Sequence, residues 1–183
     1  MVNAKLYSSP GLAAIREEHR RQVWHHGFDP GSEKSLRGRV LAEAALCYLD
    51  DGARGKVPRR WPLPQRHWHP AEDPGDPVQR CRSLACAGAL LLAEHQRVNP
   101  WNEADRGVLV EHAFAYTLDG FRQCVHDGPL RDRIAEEKLI RASRAYIEAW
   151  TKHQNTSQVL LDAIANVAIL MDVISGEPVF DKH

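Results

Sequence analysis

The stretch Asp76-Pro77-Val78-Gln79-Arg80-Cys81-Arg82-Ser83-Leu84-Ala85-Cys86-Ala87-Gly88-Ala89-Leu90-Leu91-Leu92-Ala93-Glu94-His95-Gln96-Arg97-Val98-Asn99-Pro100 decides the fold. It opens on an N-capping aspartate with a proline at the first helical position and closes on Asn-Pro. Between these ends Leu84, Ala87, Gly88, Leu91 and Leu92 recur at spacings of three and four, the signature of one helical packing face. The small residues Ala85, Ala87 and Gly88 predict close approach by another helix. A long helix over about 77–98 follows, the third of the chain.

Immediately upstream, residues 52–76 contain Pro58, Pro62, Pro64, Pro70 and Pro74, so no long helix crosses them. Irregular stretches of this length are usually functional or disordered, and Trp61 and Trp68 favour function. From Gly52 to Ala71 there are five basic residues (Arg54, Lys56, Arg59, Arg60, Arg66) and no acidic ones. Before the loop, helix one runs from about Leu12 to His26, ended by Gly27, with an unusually polar inner stripe of Leu12, Ile15, His19, Gln22, Val23 and His26. Helix two, about Leu36 to Asp50, carries Val40, Leu41, Ala44, Ala45 and Tyr48 on one side.

Downstream, Asn102 caps helix four, whose stripe is Val108, Leu109, His112, Phe114, Ala115, Leu118 and Phe121, with a break at Asp119-Gly120. Helix five spans about 130–152 and holds the i,i+4 pairs Glu137/Arg141 and Arg144/Glu148. Asn155 or Thr156 caps helix six, where Val159, Leu160, Ile164, Val167, Leu170, Met171 and Ile174 predict deep burial. The chain therefore reads as all-α: a single domain over 1–183, an approximately six-helix bundle with a long Pro/Trp-rich loop between helices two and three. Helix six is apolar around more of its circumference than one stripe requires, which predicts a homo-oligomer with helix five or six at the interface.

With 183 residues, 43% of them hydrophobic, the chain can bury one sizeable core. Its 24 basic and 24 acidic side chains give zero formal charge, which argues against a broad, charge-driven binder of nucleic acid or membrane. The apolar runs are too short to span a bilayer, and Met1 to Pro10 lacks the apolar core of a secretory signal. Cys47, Cys81, Cys86 and Cys124 form no Cys-x-x-Cys pair and read as small buried thiols in a reducing, cytoplasmic compartment.

Three groups can carry chemistry. Glu18, Arg21 and Gln22 share one helix face, where a carboxylate, a guanidinium and an amide can hold a metal, a phosphate and a base edge. The same three residues also suit a plain surface ion pair with an amide reaching a neighbouring helix. Glu43 and Glu94 project from helices two and three, the kind of oxygen-rich setting that Mg²⁺ needs, although a solvated or ion-paired glutamate is the ordinary outcome. In the loop, Trp61 and Trp68 can stack on a base while Arg59 and Arg60 grip phosphates. Alternatively the indoles staple the loop to the bundle and the charges stay in water.

Residues 12–97 resemble the small all-α proteins of phages and prophages described as MazG-like or as the N-terminal region of dATP/dGTP diphosphohydrolases. The shared elements are Glu18-x-x-Arg21-Gln22, Gly27-Phe28, Ala44-Ala45-x-x-Tyr48, Trp61-Pro62, Trp68-x-Pro70, and Arg82-x-Leu84-x-x-Ala87-Gly88-Ala89-Leu90-x-x-Ala93-Glu94-x-x-Arg97. The resemblance implies a nucleotide site in a cytoplasmic protein of the bacterial host cell, and dimers or tetramers built by helix packing. It also implies carboxylate-bound Mg²⁺ in active relatives, for which Glu18, Glu33, Glu43 and Glu94 are the candidates. Several expected acids are missing. His26 stands where the pattern has glutamate, Ser32-Glu33-Lys34 where it has His-Asp-Asp, and Cys86 where it has lysine. Leu160 to Asp172 resembles the last helix of a MazG-type domain, with Ala163 and Asn166 at the metal-binding positions; an ordinary buried helix explains it equally well.

The expectation is a protein that binds a nucleotide or nucleotide-derived signal through Glu18, Arg21, Gln22, Arg59, Arg60, Trp61, Trp68 and Arg82. Hydrolysis would be weak or absent, a combination suited to sequestering a host defence signal. The alternatives are an active Mg²⁺-dependent pyrophosphohydrolase using Glu18 and Glu94, and an interaction module that displays the Trp-Pro loop.

Overall fold

The computed structural model describes residues 9–26, 39–51, 56–73, 75–99, 103–124, 131–152 and 156–176. Among them are six α-helices and no strand: α1 (Pro10–His26), α2 (Val40–Asp51), α3 (Pro77–Val98), α4 (Glu103–Cys124), α5 (Arg131–Thr151) and α6 (Gln158–Ile174). A single 3-10 turn, Gln65–His67, interrupts the described part of the loop between α2 and α3. None of these helices is long and apolar enough to cross a membrane.

α6 is the axis of the bundle. Leu160, Leu161 and every residue from Ala163 to Val173 are buried, and α1, α3, α4 and α5 all pack against it. Its apolar circumference is thus enclosed by its own chain. That corrects the expectation that a surplus face of helix six meets a second copy, because four neighbours need four faces. Ala163 and Asn166 are both buried in this core. Asn166 turns its amide back to the Asp162 carbonyl at 2.7 Å.

α3 starts as its sequence dictates. Asp76 accepts a hydrogen bond from Val78 N at 2.9 Å, and Pro77 occupies the first turn. α1 crosses it at Gly88, where a β-carbon would lie 2.5 Å from Ile15 Cδ1, so the close approach expected of the small residues is made by helix one. The other end of α1 is fastened to α6. Ser9 Oγ and Gly11 N donate to the two oxygens of buried Asp172 at 2.6 and 2.7 Å, and Ser9 Oγ accepts from Leu12 N at 3.0 Å. A carboxylate thereby sits at the positive end of the α1 dipole.

Several local expectations are corrected. α4 runs unbroken through Asp119-Gly120, and it buries Val110, Ala113, Phe114, Leu118 and Phe121, while Val108, Leu109, His112 and Ala115 face outward. Two apolar stripes compete on that helix, and α6 receives the one carrying both phenylalanines. Arg144 reaches across to Asp50 on α2 at 2.6 Å, and Glu148 pairs with Lys152 at 3.3 Å, in place of the expected Arg144/Glu148 pair. The N-cap position of α6 is held by Ser157, not Thr156, and its side chain makes no capping hydrogen bond. Gly27, Leu36, Asn102 and Asn155 lie outside the described residues.

Candidate functional site

The C-terminal half of α1 and the N-terminal half of α3 diverge, and the end of the loop closes the gap as a third wall. The result is a cleft of about 670 Å³. Its walls include Glu17, Glu18 and Arg21 from α1, Gln79, Arg82 and Ser83 from α3, and His69 and Glu72 from the loop, above an apolar lining of Ala14, Ala85, Pro70 and Ala71. A second, much smaller cavity of about 20 Å³ adjoins it, and the two share Glu18, Arg21, His69 and Cys86. Tyr48, Trp61, Leu63 and Leu90 complete the small cavity.

Glu18 is the hinge of both spaces. Arg21 grips it with two hydrogen bonds, Nε to Oε2 at 2.7 Å and Nη2 to Oε1 at 2.8 Å. Gln22 Nε2 donates to Oε1 at 3.0 Å, and Cys86 Sγ donates to the same oxygen at 3.4 Å. Partial burial pushes the carboxyl pKa up, but the hydrogen bonds from Arg21 and Gln22, the Arg21 charge and the Cys86 thiol outweigh it and hold the group below its ordinary 4.5. Glu18 is therefore a fixed carboxylate. Burial raises the Cys86 thiol, and neighbouring Glu18 raises it further, so the sulfur stays a protonated donor.

The loop is anchored here rather than displayed. Tyr48 Oη accepts from His69 N at 2.9 Å and donates to the His67 carbonyl at 3.2 Å. Its ring packs on Trp68 at 4.7 Å between centroids and edge-on to Trp61 at 5.6 Å, and the two indoles meet at 4.9 Å. Trp68 is 7% exposed, which makes it the staple and leaves it no free face for a ligand. Gln79 Oε1 accepts from Glu72 N and Asp73 N, both at 2.8 Å, and ties the far end of the loop to α3.

Of the residues expected to bind ligand, Glu18, Arg21 and Arg82 line the cleft, while Gln22 and Trp61 line only the small cavity. Arg59 and Arg60 line neither. Arg60 is held by Asp50 at 2.5 Å, the carboxylate that Arg144 also engages, and Arg59 is solvent-exposed. Their expected grip on phosphates is thus not placed at the cleft. Missed in the sequence were His69, Glu72 and Gln79, whose roles depend on where the loop folds back. Tyr48 was visible as part of the packing side of helix two and of the family-like pattern, not as the anchor of the loop.

The described residues do not fit the magnesium that the resemblance implies. No three His, Cys, Asp or Glu side chains among them are grouped to hold a metal. Glu18 gives both oxygens to Arg21. Glu94 is fully buried, accepts twice from Arg97 at 2.8 and 2.9 Å, and accepts from Trp150 Nε1 at 2.9 Å. Glu43 is exposed on α2, and Glu33 lies outside the described residues. Among known proteins the chain matches no family model, no curated protein and no solved structure.

Proposed function

We propose that the cleft between α1, α3 and the loop binds a nucleotide or a nucleotide-derived signal, and that the protein holds this ligand without turning it over. One observation carries the reading. Three of the family-like segments, far apart in the chain, each contribute to one cleft of about 670 Å³: Glu18 and Arg21 from the first, Pro70 from Trp68-x-Pro70, and Arg82 from the third. That volume lies within the ~300–1,000 Å³ usual for small-molecule sites.

The lining suits a ligand of mixed character. Arg82 has no ion-pair partner among the described residues and stands exposed at the wall, available to a phosphate. Glu17 and Glu72 are acceptors suited to sugar hydroxyls, and Ala14, Ala85 and Pro70 offer apolar surface. A bare polyphosphate meets three carboxylates and two guanidiniums here, which is poor complementarity; a nucleoside phosphate meets partners for each of its parts. Binding without turnover in a phage-type protein suits sequestration of a host signal in the bacterial cytoplasm, the role we assign it.

Calorimetry with ATP, AMP, cyclic AMP and ADP-ribose, with and without Mg²⁺, tests the proposal. At least one is expected to bind, and Arg82→Glu is expected to weaken that binding about tenfold or more while the thermal midpoint stays near wild type. Failure of all four ligands to bind, or equal affinity in Arg82→Glu, rejects it. Mg²⁺-dependent release of pyrophosphate from ATP would replace it with the enzymatic alternative.

A further inference from the structure

Resting on that reading, we infer that the small cavity beside the cleft is a closed subsite for the nucleobase, and that the Trp61 ring is its door. As it stands the cavity holds about 20 Å³, room for one water molecule and far too little for a base. Its walls are nevertheless those of a base site. Tyr48, Trp61 and Leu90 supply flat and apolar surface, and Glu18 Oε2, which accepts from Arg21 Nε at 2.7 Å, keeps a second lone pair as an acceptor for an N–H on a ring edge. Because Glu18, Arg21, His69 and Cys86 line both spaces, a ligand whose phosphate sits near Arg82 lies next to the cavity.

Trp61 is the wall that can move. Trp68 is buried and sealed against Tyr48, and Tyr48 is fixed by its two hydrogen bonds to the loop backbone. Trp61 is only half-buried. Its indole N–H is held by a single 3.3 Å bond to the Pro64 carbonyl, three residues away in the same loop. Turning the ring outward therefore breaks no hydrogen bond between loop and bundle. Its present contacts with Tyr48 and Trp68 are edge-on, at 86° and 62°, so its face is not committed to a parallel stack. A base entering the cavity exchanges those edge contacts for stacking against an indole face, an interaction that accepts any heteroaromatic ring. The ligand class is accordingly a nucleotide whose base carries an N–H donor, held at one end by charge and at the other by stacking.

A fluorescent triphosphate of 2-aminopurine riboside separates the two ideas, because its anisotropy reports binding and its quenching reports stacking. Wild-type protein is expected to raise the anisotropy and quench the emission several-fold. Trp61→Ala should lose most of the quenching and about tenfold in affinity, and Trp61→Phe should keep most of both. Leu90→Phe, which fills the cavity from the α3 side, should abolish the quenching without depending on removal of the loop indole. Anisotropy that rises without quenching in wild type, or quenching unchanged in Trp61→Ala and Leu90→Phe, overturns the subsite and leaves the cleft as the binding site. No anisotropy change in wild-type protein that binds one of the four nucleotides by calorimetry overturns the subsite alone, and no binding by either measurement overturns the proposed function with it.

Discussion

Gly88 is where α1 and α3 come closest, and the geometry there states its own test. A β-carbon would meet Ile15 Cδ1 at 2.5 Å, the far end of a fully buried side chain. Gly88→Ala should cost about 1–3 kcal/mol by overpacking, seen as a lower urea midpoint with an unchanged slope. At Gly11 the corresponding β-carbon collides with the backbone carbonyl of Ala168, which cannot rotate aside, so Gly11→Ala should be the more damaging of the two. Glu18 supports a different test. Its folded pKa lies below 4.5, so its contribution to stability is complete above the unfolded-state value and is lost as pH falls through the folded one. The thermal advantage of wild type over Glu18→Gln should shrink steadily as pH is lowered from about 6 to about 3. A gap that widens on acidification would show that Glu18 is not the held carboxylate described above.

At the scale of elements, α2 carries one cross-brace and α3 another. Glu94 near its C-terminal end is fully buried and joins Arg97 to the Trp150 indole of α5, and Arg39 lies over that same indole at 4.9 Å. Removing the charge weakens the bonds from Arg97 and Trp150 and turns an amide N–H₂ toward donors in a fully buried place. Glu94→Gln should therefore lower stability by about 2–3 kcal/mol, and by the same amount with or without Mg²⁺. An effect that appeared only with Mg²⁺ would return Glu94 to a metal-binding role. The loop brace is Tyr48, and in Tyr48→Phe the amide of His69 should exchange with solvent faster while α6 amides keep their protection. The helices themselves were legible from local signals: Asp76-Pro77 at the start of α3, Gly88 among alanines, the apolar run of α6. What was illegible depended on distance. Nothing local in Arg144 says that it prefers Asp50, 94 residues away, to Glu148 four residues on. Arg59 and Arg60 looked like phosphate grips because their neighbours in sequence are basic, yet the fold turns the other side of that loop to the cleft. On α4 both stripes were apolar enough to be buried, and packing against α6 decides between them.

In the whole molecule the unequal burial of α6 and α4 sets where substitutions are felt. Ile164→Ala, at a fully buried position of the axis, should cost about 2–5 kcal/mol in chemical denaturation. Tyr116→Glu, at a position 83% exposed on α4, should change stability by no more than about 0.5 kcal/mol. If copies of the chain associate, they do so through a surface other than α6, and light scattering of Tyr116→Glu beside wild type shows whether the outward face of α4 takes part. The central place of α6 also sets a timetable for the ribosome. The bond between Ser9 and Asp172 spans 163 residues, and the helix against which α1, α3, α4 and α5 pack is the last of the six to be synthesised. Until it emerges, α1, α3 and α4 expose the surfaces meant for it, so the bundle cannot assemble stepwise during translation. The nascent chain should remain open, and open to chaperones and proteases, until α6 has been synthesised.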